Sequence, residues 1–192
     1  SRGLGDVYKR QTYISLTAGI GGTTIKKSSI ALSSKENETI GRNAGGFMNI
    51  REAGEEDLYR LLKLYTQLHE NPMPRMDQQL LQLWNSMVQD ENHHIVIAQE
   101  GNKIVSSCVL VIVPNLTHGQ RPYALIENVI TSEAFRNQGL ASACLAFAKQ
   151  IAVEHHCYKI MLLTGSKKEN TLNFYRKAGY NSEDKTAFVQ WL

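Results

Sequence analysis

The chain has 192 residues, 42% of them apolar and 20% charged, a composition that suits one globular domain with its own core. Its three cysteines, Cys108, Cys144 and Cys157, are odd in number and lack metal-ligand spacing, which argues against a disulfide framework and for reduced packing residues in a cytoplasmic protein. The formal charge of +3 is unevenly placed: residues 1–47 hold seven Lys or Arg against three Asp or Glu, which leaves 14 against 15 for residues 48–192. The near-neutral remainder excludes an electrostatic footprint for nucleic acid or an anionic membrane.

Residues 1–47 are rich in Ser, Thr, Gly and Lys and show no sustained apolar periodicity, so they are expected to be a non-native or disordered extension. The opening string SRGLGDVYKRQ resembles a sequence often found at the ends of assembled environmental reads. Ala44-Gly45-Gly46 can be encoded by a purine-rich stretch like a bacterial ribosome-binding sequence, which would make Met48 the start of a bacterial protein. The domain is therefore expected at 48–192.

From Met48 the elements follow in regular order. Met48-Asn49-Ile50-Arg51 alternates as a short strand. Gly54-Glu55-Glu56-Asp57 supplies an acidic first turn for a helix whose apolar face is Leu58, Leu61, Leu62, Tyr65 and Leu68, and Pro72 and Pro74 stop it. Leu80, Leu83, Trp84, Met87 and Val88 mark a second amphipathic helix. The β-branched runs 95–98 and 104–113 form a hairpin around Glu100-Gly101-Asn102-Lys103, and a third strand is expected over 123–130. Leu140, Cys144, Phe147, Ala148 and Ile151 mark a third helix, followed by a strand over 158–163, a helix over 171–177 and a last strand over 186–191. This order predicts an α/β (α+β) fold with a mixed sheet and helices packed on its faces.

The chemistry concentrates where the strand 123–130 runs through a polar loop into the third helix. The first N–H groups of a helix lack internal partners and sit at its positive end, so the loop Arg136-Asn137-Gln138-Gly139-Leu140-Ala141 is suited to a diphosphate. Gly139 and the small Ala141 let a ligand approach the backbone. A nucleotide triphosphate site lacks its Gly-Lys-Ser/Thr ending here, and a dinucleotide fingerprint lacks two glycines.

Arg136-x-x-Gly139-x-Ala141, together with Asn170 to Tyr180 read as Asn-x-x-x-Phe-Tyr-x-x-x-Gly-Tyr, resembles the GNAT N-acetyltransferases across residues 48–192. The resemblance implies a mostly antiparallel sheet splayed at an acetyl-coenzyme A site, with no metal. Pantetheine would pair with backbone near Val129, Ile130 and Thr131, the diphosphate would rest on residues 136–141, and Asn170 would bond the cofactor near its thioester. Glu127 is the candidate base for the acceptor ammonium, acting through water or raised by partial burial. Tyr175 matches the position of the acid that protonates the leaving thiolate, and a backbone N–H near Val129 is the candidate oxyanion donor. The pairs His93-His94 and His155-His156 have no second ligand cluster at useful spacing, and adjacent side chains on a strand point to opposite faces, which argues against a metal site.

The implied partner is a primary amine of a small molecule or peptide, with a homodimer left open and neither nucleic acid nor membrane expected. Its pocket is expected from the segments 68–76 and 114–123, which carry His69, Glu70, Arg75, His118 and Arg121. Cys157-Tyr158-Lys159-Ile160 also resembles glucosamine-6-phosphate N-acetyltransferases, although that group typically carries Glu-Asp where this chain has Glu127-Asn128. A non-catalytic acyl-coenzyme A sensor with the same fold is the alternative from another class.

Overall fold

The computed structural model describes residues 38–43, 46–68 and 71–192. Six strands lie side by side in sequence order: β1 (Glu38–Asn43), β2 (Gly46–Glu52), β3 (His93–Glu100), β4 (Lys103–Val113), β5 (Tyr123–Thr131) and β6 (Ile160–Leu162). All neighbours are antiparallel except β5 and β6, which run parallel across the helical crossover between them. The sheet starts at β1, upstream of Met48 and inside the segment expected to be an extension.

Helices cover both faces, which explains why β3 and β4 read as continuous apolar runs and not as alternating strands. On one face lie α1 (Leu58–Tyr65) and α2 (Gln78–Gln89), burying Leu58, Leu61, Leu64 and Trp84 against Ile95, Ile97, Val109 and Ile130. Asp77 caps α2 by accepting from Leu80 N at 3.0 Å. Leu83, expected on the packed face of α2, is instead exposed. On the other face α3 (Leu140–Glu154) buries Leu140, Cys144, Leu145, Ala148, Ile151 and Ala152 against Val96, Leu110 and Ile126, joined by α4 (Glu169–Lys177) through Phe174 and Tyr175.

Asp57 joins the first helical turn to the sheet. It is buried, receives both terminal nitrogens of Arg51, bonds Arg60, and accepts from Gly54 N at 2.7 Å. Burial pushes its carboxyl up, but the Arg51 and Gly54 hydrogen bonds and the Arg51 and Arg60 charges outweigh this and hold it below its ordinary value. Asp57→Asn is expected to cost about 2–3 kcal/mol, less than a fully buried pair would, because both guanidinium groups keep some solvent. A depressed folded-state pKa stabilises fully above the unfolded carboxyl value near 3.9 and loses that contribution as pH falls through the folded value. Denaturant titrations should therefore show a gap between wild type and Asp57→Asn that is flat from about pH 7 to 5 and narrows below about pH 4.

The expected last strand over 186–191 does not form: residues 185–192 carry no strand or helix and all are exposed. Its sequence has strand character, but a strand needs a neighbour, and in the single copy none is paired with it.

Candidate active site

The site begins where two strands part. β5 pairs with β6 only at Ala124, Leu125 and Ile126, opposite Ile160, Met161 and Leu162. Beyond that point Glu127 to Thr131 stay on the β4 side, with Glu127 opposite Val109, Ile130 opposite Ser107 and Thr131 opposite Ser106. The edge toward β6 is thus open over the residues expected to meet pantetheine.

A bulge sharpens this opening. Between those pairs β4 has one residue, Cys108, while β5 has two, Asn128 and Val129, and Asn128 takes a left-handed φ of 51°. Asn is among the few non-glycine residues that visit this region readily, so an Asn inside an apolar strand run is a bulge signal legible in the sequence. After the bulge the strand is tied back to β4. Ser106 Oγ donates to Ile130 O at 2.9 Å and lies 2.8 Å from Thr131 Oγ1, and Ser132 N donates to Val105 O.

The chain then makes a 3-10 turn at Glu133–Phe135 and enters α3 through the exposed residues Arg136, Asn137, Gln138 and Gly139. Arg136 reaches Thr131 O at 3.4 Å and Glu133 at 3.3 Å, which holds the loop at the end of β5. Gly139 caps α3 with φ 78°, and a Cβ built on it would meet nothing within 4 Å. The glycine therefore serves the left-handed backbone and an open space above it, while buried Leu140 anchors the helix start. The N–H groups of Leu140, Ala141 and Ser142 are the free donors at this end by helix geometry.

Across the opening, α4 presents Tyr175. Its ring packs on Phe174 (centroids 4.9 Å apart) and Tyr180 (6.2 Å), and with Val129 it joins the α3-side core. Burial raises the Tyr175 phenol above its ordinary value, and the charges of Cys108 and Glu127 add to this. The structure thus brings Glu127, Val129 and Tyr175 into one locality. Glu127 is exposed. Asn170 is exposed in the first turn of α4.

Three features of the site lie outside the expectations from sequence. Burial pushes Tyr180 up to about 12, and its ring stands edge-on to that of Tyr175 at 6.2 Å. Tyr65, at the end of α1, is pushed to about 12 by burial beside Ser107, whose hydroxyl works in the opposite direction. The third feature is the bulge at Asn128.

The residues expected to meet an acceptor separate. His69 and Glu70 lie outside the described residues. Arg75 is exposed. Arg121 is engaged in structure, donating to His156 O at 3.1 Å and Cys157 O at 3.2 Å. His118 stacks on Tyr158 at 4.0 Å, and Lys159 Nζ stands 5.3 Å from both the Tyr123 and Tyr158 rings. His94 bonds Glu52 at 3.3 Å, and among the described residues no group of three His, Cys, Asp or Glu is placed to hold a metal.

Known proteins share this fold. A protein of Agrobacterium tumefaciens str. C58 assigned as an acetyltransferase is 35% identical, with a TM-score of 0.68 over 74% of this chain and 99% of that one. A Trypanosoma brucei acetyltransferase is 26% identical, with a TM-score of 0.65 over 75% of this chain and 99% of that one. A curated relative, glucosamine 6-phosphate N-acetyltransferase of Trypanosoma brucei brucei, is 32% identical over 87 residues, 45% of this chain and 57% of the relative. The match thus spans just over half of that relative's length. Residues 56–180 match the Acetyltransferase (GNAT) family, from the turn before α1 through Tyr180. On the family match over residues 56–180, the chain belongs to the GNAT family of acetyltransferases.

Proposed function

We propose that the protein transfers an acetyl group from acetyl-coenzyme A to a primary amine by direct attack in a ternary complex. The observation that carries this reading is the one-sided stretch Glu127–Thr131, which runs from the bulge into the exposed, glycine-capped start of α3. Backbone groups of Val129, Ile130 and Thr131 would take pantetheine as an added strand, and residues 136–141 would hold the diphosphate. Acetyl-coenzyme A supplies the activated thioester. With both substrates bound, Glu127 would take the proton of the acceptor ammonium through water, Val129 N–H would donate to the developing oxyanion, and Tyr175 would give its proton to the departing sulfur. Asn170 would hold the cofactor near its thioester end.

Direct attack is favoured over an acetyl-enzyme because no cysteine is a ready nucleophile. Burial pushes Cys108 well up and Cys144 to about 12, and it also raises half-buried Cys157. These free thiols support a cytoplasmic setting, and no helix among the described residues is long and apolar enough to cross a membrane.

A phosphorylated amino sugar is the second reading for the acceptor. It is favoured by the cation of Lys159 set between two tyrosine rings and by the name of the curated relative. Release of free thiol from acetyl-coenzyme A in the presence of glucosamine 6-phosphate, other amines and short peptides tests both readings. Turnover with any amine supports the enzyme, whereas binding without turnover across the panel would make the chain a sensor.

Gly139→Asp is expected to weaken acetyl-coenzyme A binding at least roughly tenfold, by placing a carboxylate where the diphosphate should lie. Asp tolerates the left-handed φ better than most residues and its Cβ meets no neighbour, so the fold should survive. Calorimetric titration giving unchanged affinity would remove the phosphate-loop assignment.

A further inference from the structure

The α1-side core holds two hydroxyls that its own packing does not use. Tyr65, at the end of α1, packs against the cluster of Leu58, Leu61, Leu64 and Trp84, yet its phenol oxygen is buried without a hydrogen-bond partner. Ser107 on β4 is fully buried, and its Oγ is likewise unpartnered. The two are neighbours: the serine hydroxyl acts on the phenol, but their geometry falls short of a hydrogen bond. Phe and Ala would fill the same space without leaving polar atoms unsatisfied, and such atoms are few in native structures. Their presence calls for a partner that packing does not supply.

The sheet register sets this pair on the face that carries Glu127. Ser107 and Val109 are two apart on β4 and share a face, with Ile130 opposite the first and Glu127 opposite the second. Val109 and Ile130 belong to the α1-side core, whereas Cys108 lies in the α3-side core. The bulge makes this possible, because its extra residue lets Glu127 and Ile130, three apart on β5, point the same way. Ser107 is thus a diagonal neighbour of Glu127, at about 7–8 Å. Burial pushes the Tyr65 phenol to about 12, so both hydroxyls stay neutral at working pH and suit a neutral partner.

Access to the pair runs past the end of α1. Gln67 Oε1 accepts from Glu133 N at 3.2 Å, which ties the last turn to the chain entering the cofactor loop, and both residues are exposed. Among the described residues none between Leu68 and Trp84 is buried, and 71–77 carry no helix or strand. A shift of this turn that uncovers the hydroxyls therefore gives up little buried surface.

We propose that Tyr65 and Ser107 select the acceptor by hydrogen-bonding a neutral polar group, a hydroxyl or an amide, carried within a few bonds of the reacting amine. The inference rests on the acetyl-transfer reading above. An acceptor of the same shape without that group leaves both hydroxyls unpaired, and pockets built this way discriminate more strongly than apolar ones.

Thiol release from acetyl-coenzyme A would be followed with glucosamine against cyclohexylamine and with alaninamide against sec-butylamine, which separates a hydroxyl source from an amide source. Wild type should favour the polar member of at least one pair by roughly 100-fold in kcat/KM. Tyr65→Phe and, independently, Ser107→Ala should each lower that ratio at least roughly tenfold, through KM more than kcat. Comparing ratios between variant and wild type cancels differences in amine basicity. Tm should stay level or rise in both variants, since each removes an atom that the fold leaves unsatisfied. No preference within either pair, a preference that both variants keep, or a fall in Tm with equal loss on both members overturns the proposal. Absence of thiol release with every amine would instead overturn the acetyl-transfer reading, and this one with it.

Discussion

Tyr175→Phe is expected to lower kcat by roughly 10² to 10⁴ while changing acetyl-coenzyme A affinity little. The substitution keeps the ring that packs on Phe174 and Tyr180 and removes only the hydroxyl, so the core on the α3 side stays filled. Burial, with the charge of Glu127, favours the protonated phenol, which is the form a proton donor needs at neutral pH. Raising the pH should not relieve the defect, because a more basic solution offers no better acid to the leaving sulfur. Tyr180 provides the control: burial pushes its phenol to about 12, and its ring stands edge-on to that of Tyr175 at 6.2 Å. Tyr180→Phe should therefore stay within about tenfold of wild type. Near-normal turnover in Tyr175→Phe would reduce that residue to a wall of the cofactor channel.

How much of this was legible in the sequence depends on whether the signal is local. The α1 face at Leu58 and Leu61 and the α3 face at Leu140, Cys144, Ala148 and Ile151 follow from helical spacing, because one chemical asymmetry decides what each helix buries. The hairpin of β3 and β4 follows from two β-branched runs around a Gly-Asn turn. The loop 136–139 is legible for the same reason, since glycine beside a helix start marks both a cap and an approach route. What failed was non-local. Nothing within Arg121 tells that its guanidinium will tie His156 O and Cys157 O, and nothing within residues 186–191 tells that no strand of the same copy will pair with them. β1 was missed because its role comes from β2 and not from its own pattern. Asn128 lies between these cases: its residue type signals the bulge, but only the register of β4 against β5 shows that one residue is extra and that the backbone opens there.

Glu127→Gln should produce a defect that depends on pH in the opposite sense from a loss of acid. An alkyl ammonium with a pKa near 10 must lose a proton before it attacks, and at pH 6 very little free amine exists. With Glu127 present, the exposed carboxylate can take that proton through water, so the wild-type rate need not follow the free-amine fraction. Without it, the variant depends on amine already deprotonated in solution. Its rate should then rise by up to roughly tenfold per pH unit, with a deficit of about 10²-fold near pH 6 that closes toward pH 9. A competing effect has to be separated. Glu127 also helps keep the Tyr175 phenol protonated, so its removal moves that group toward easier ionisation and would hurt turnover at high pH, not low. Profiles of kcat/KM for Glu127→Gln, Tyr175→Phe and the double variant distinguish the two. Relief with rising pH in Glu127→Gln that persists in the double variant assigns proton removal to Glu127. A deficit flat with pH would make Glu127 a residue that positions the acceptor, and one that grows with pH would show that its main service is to the acid on α4.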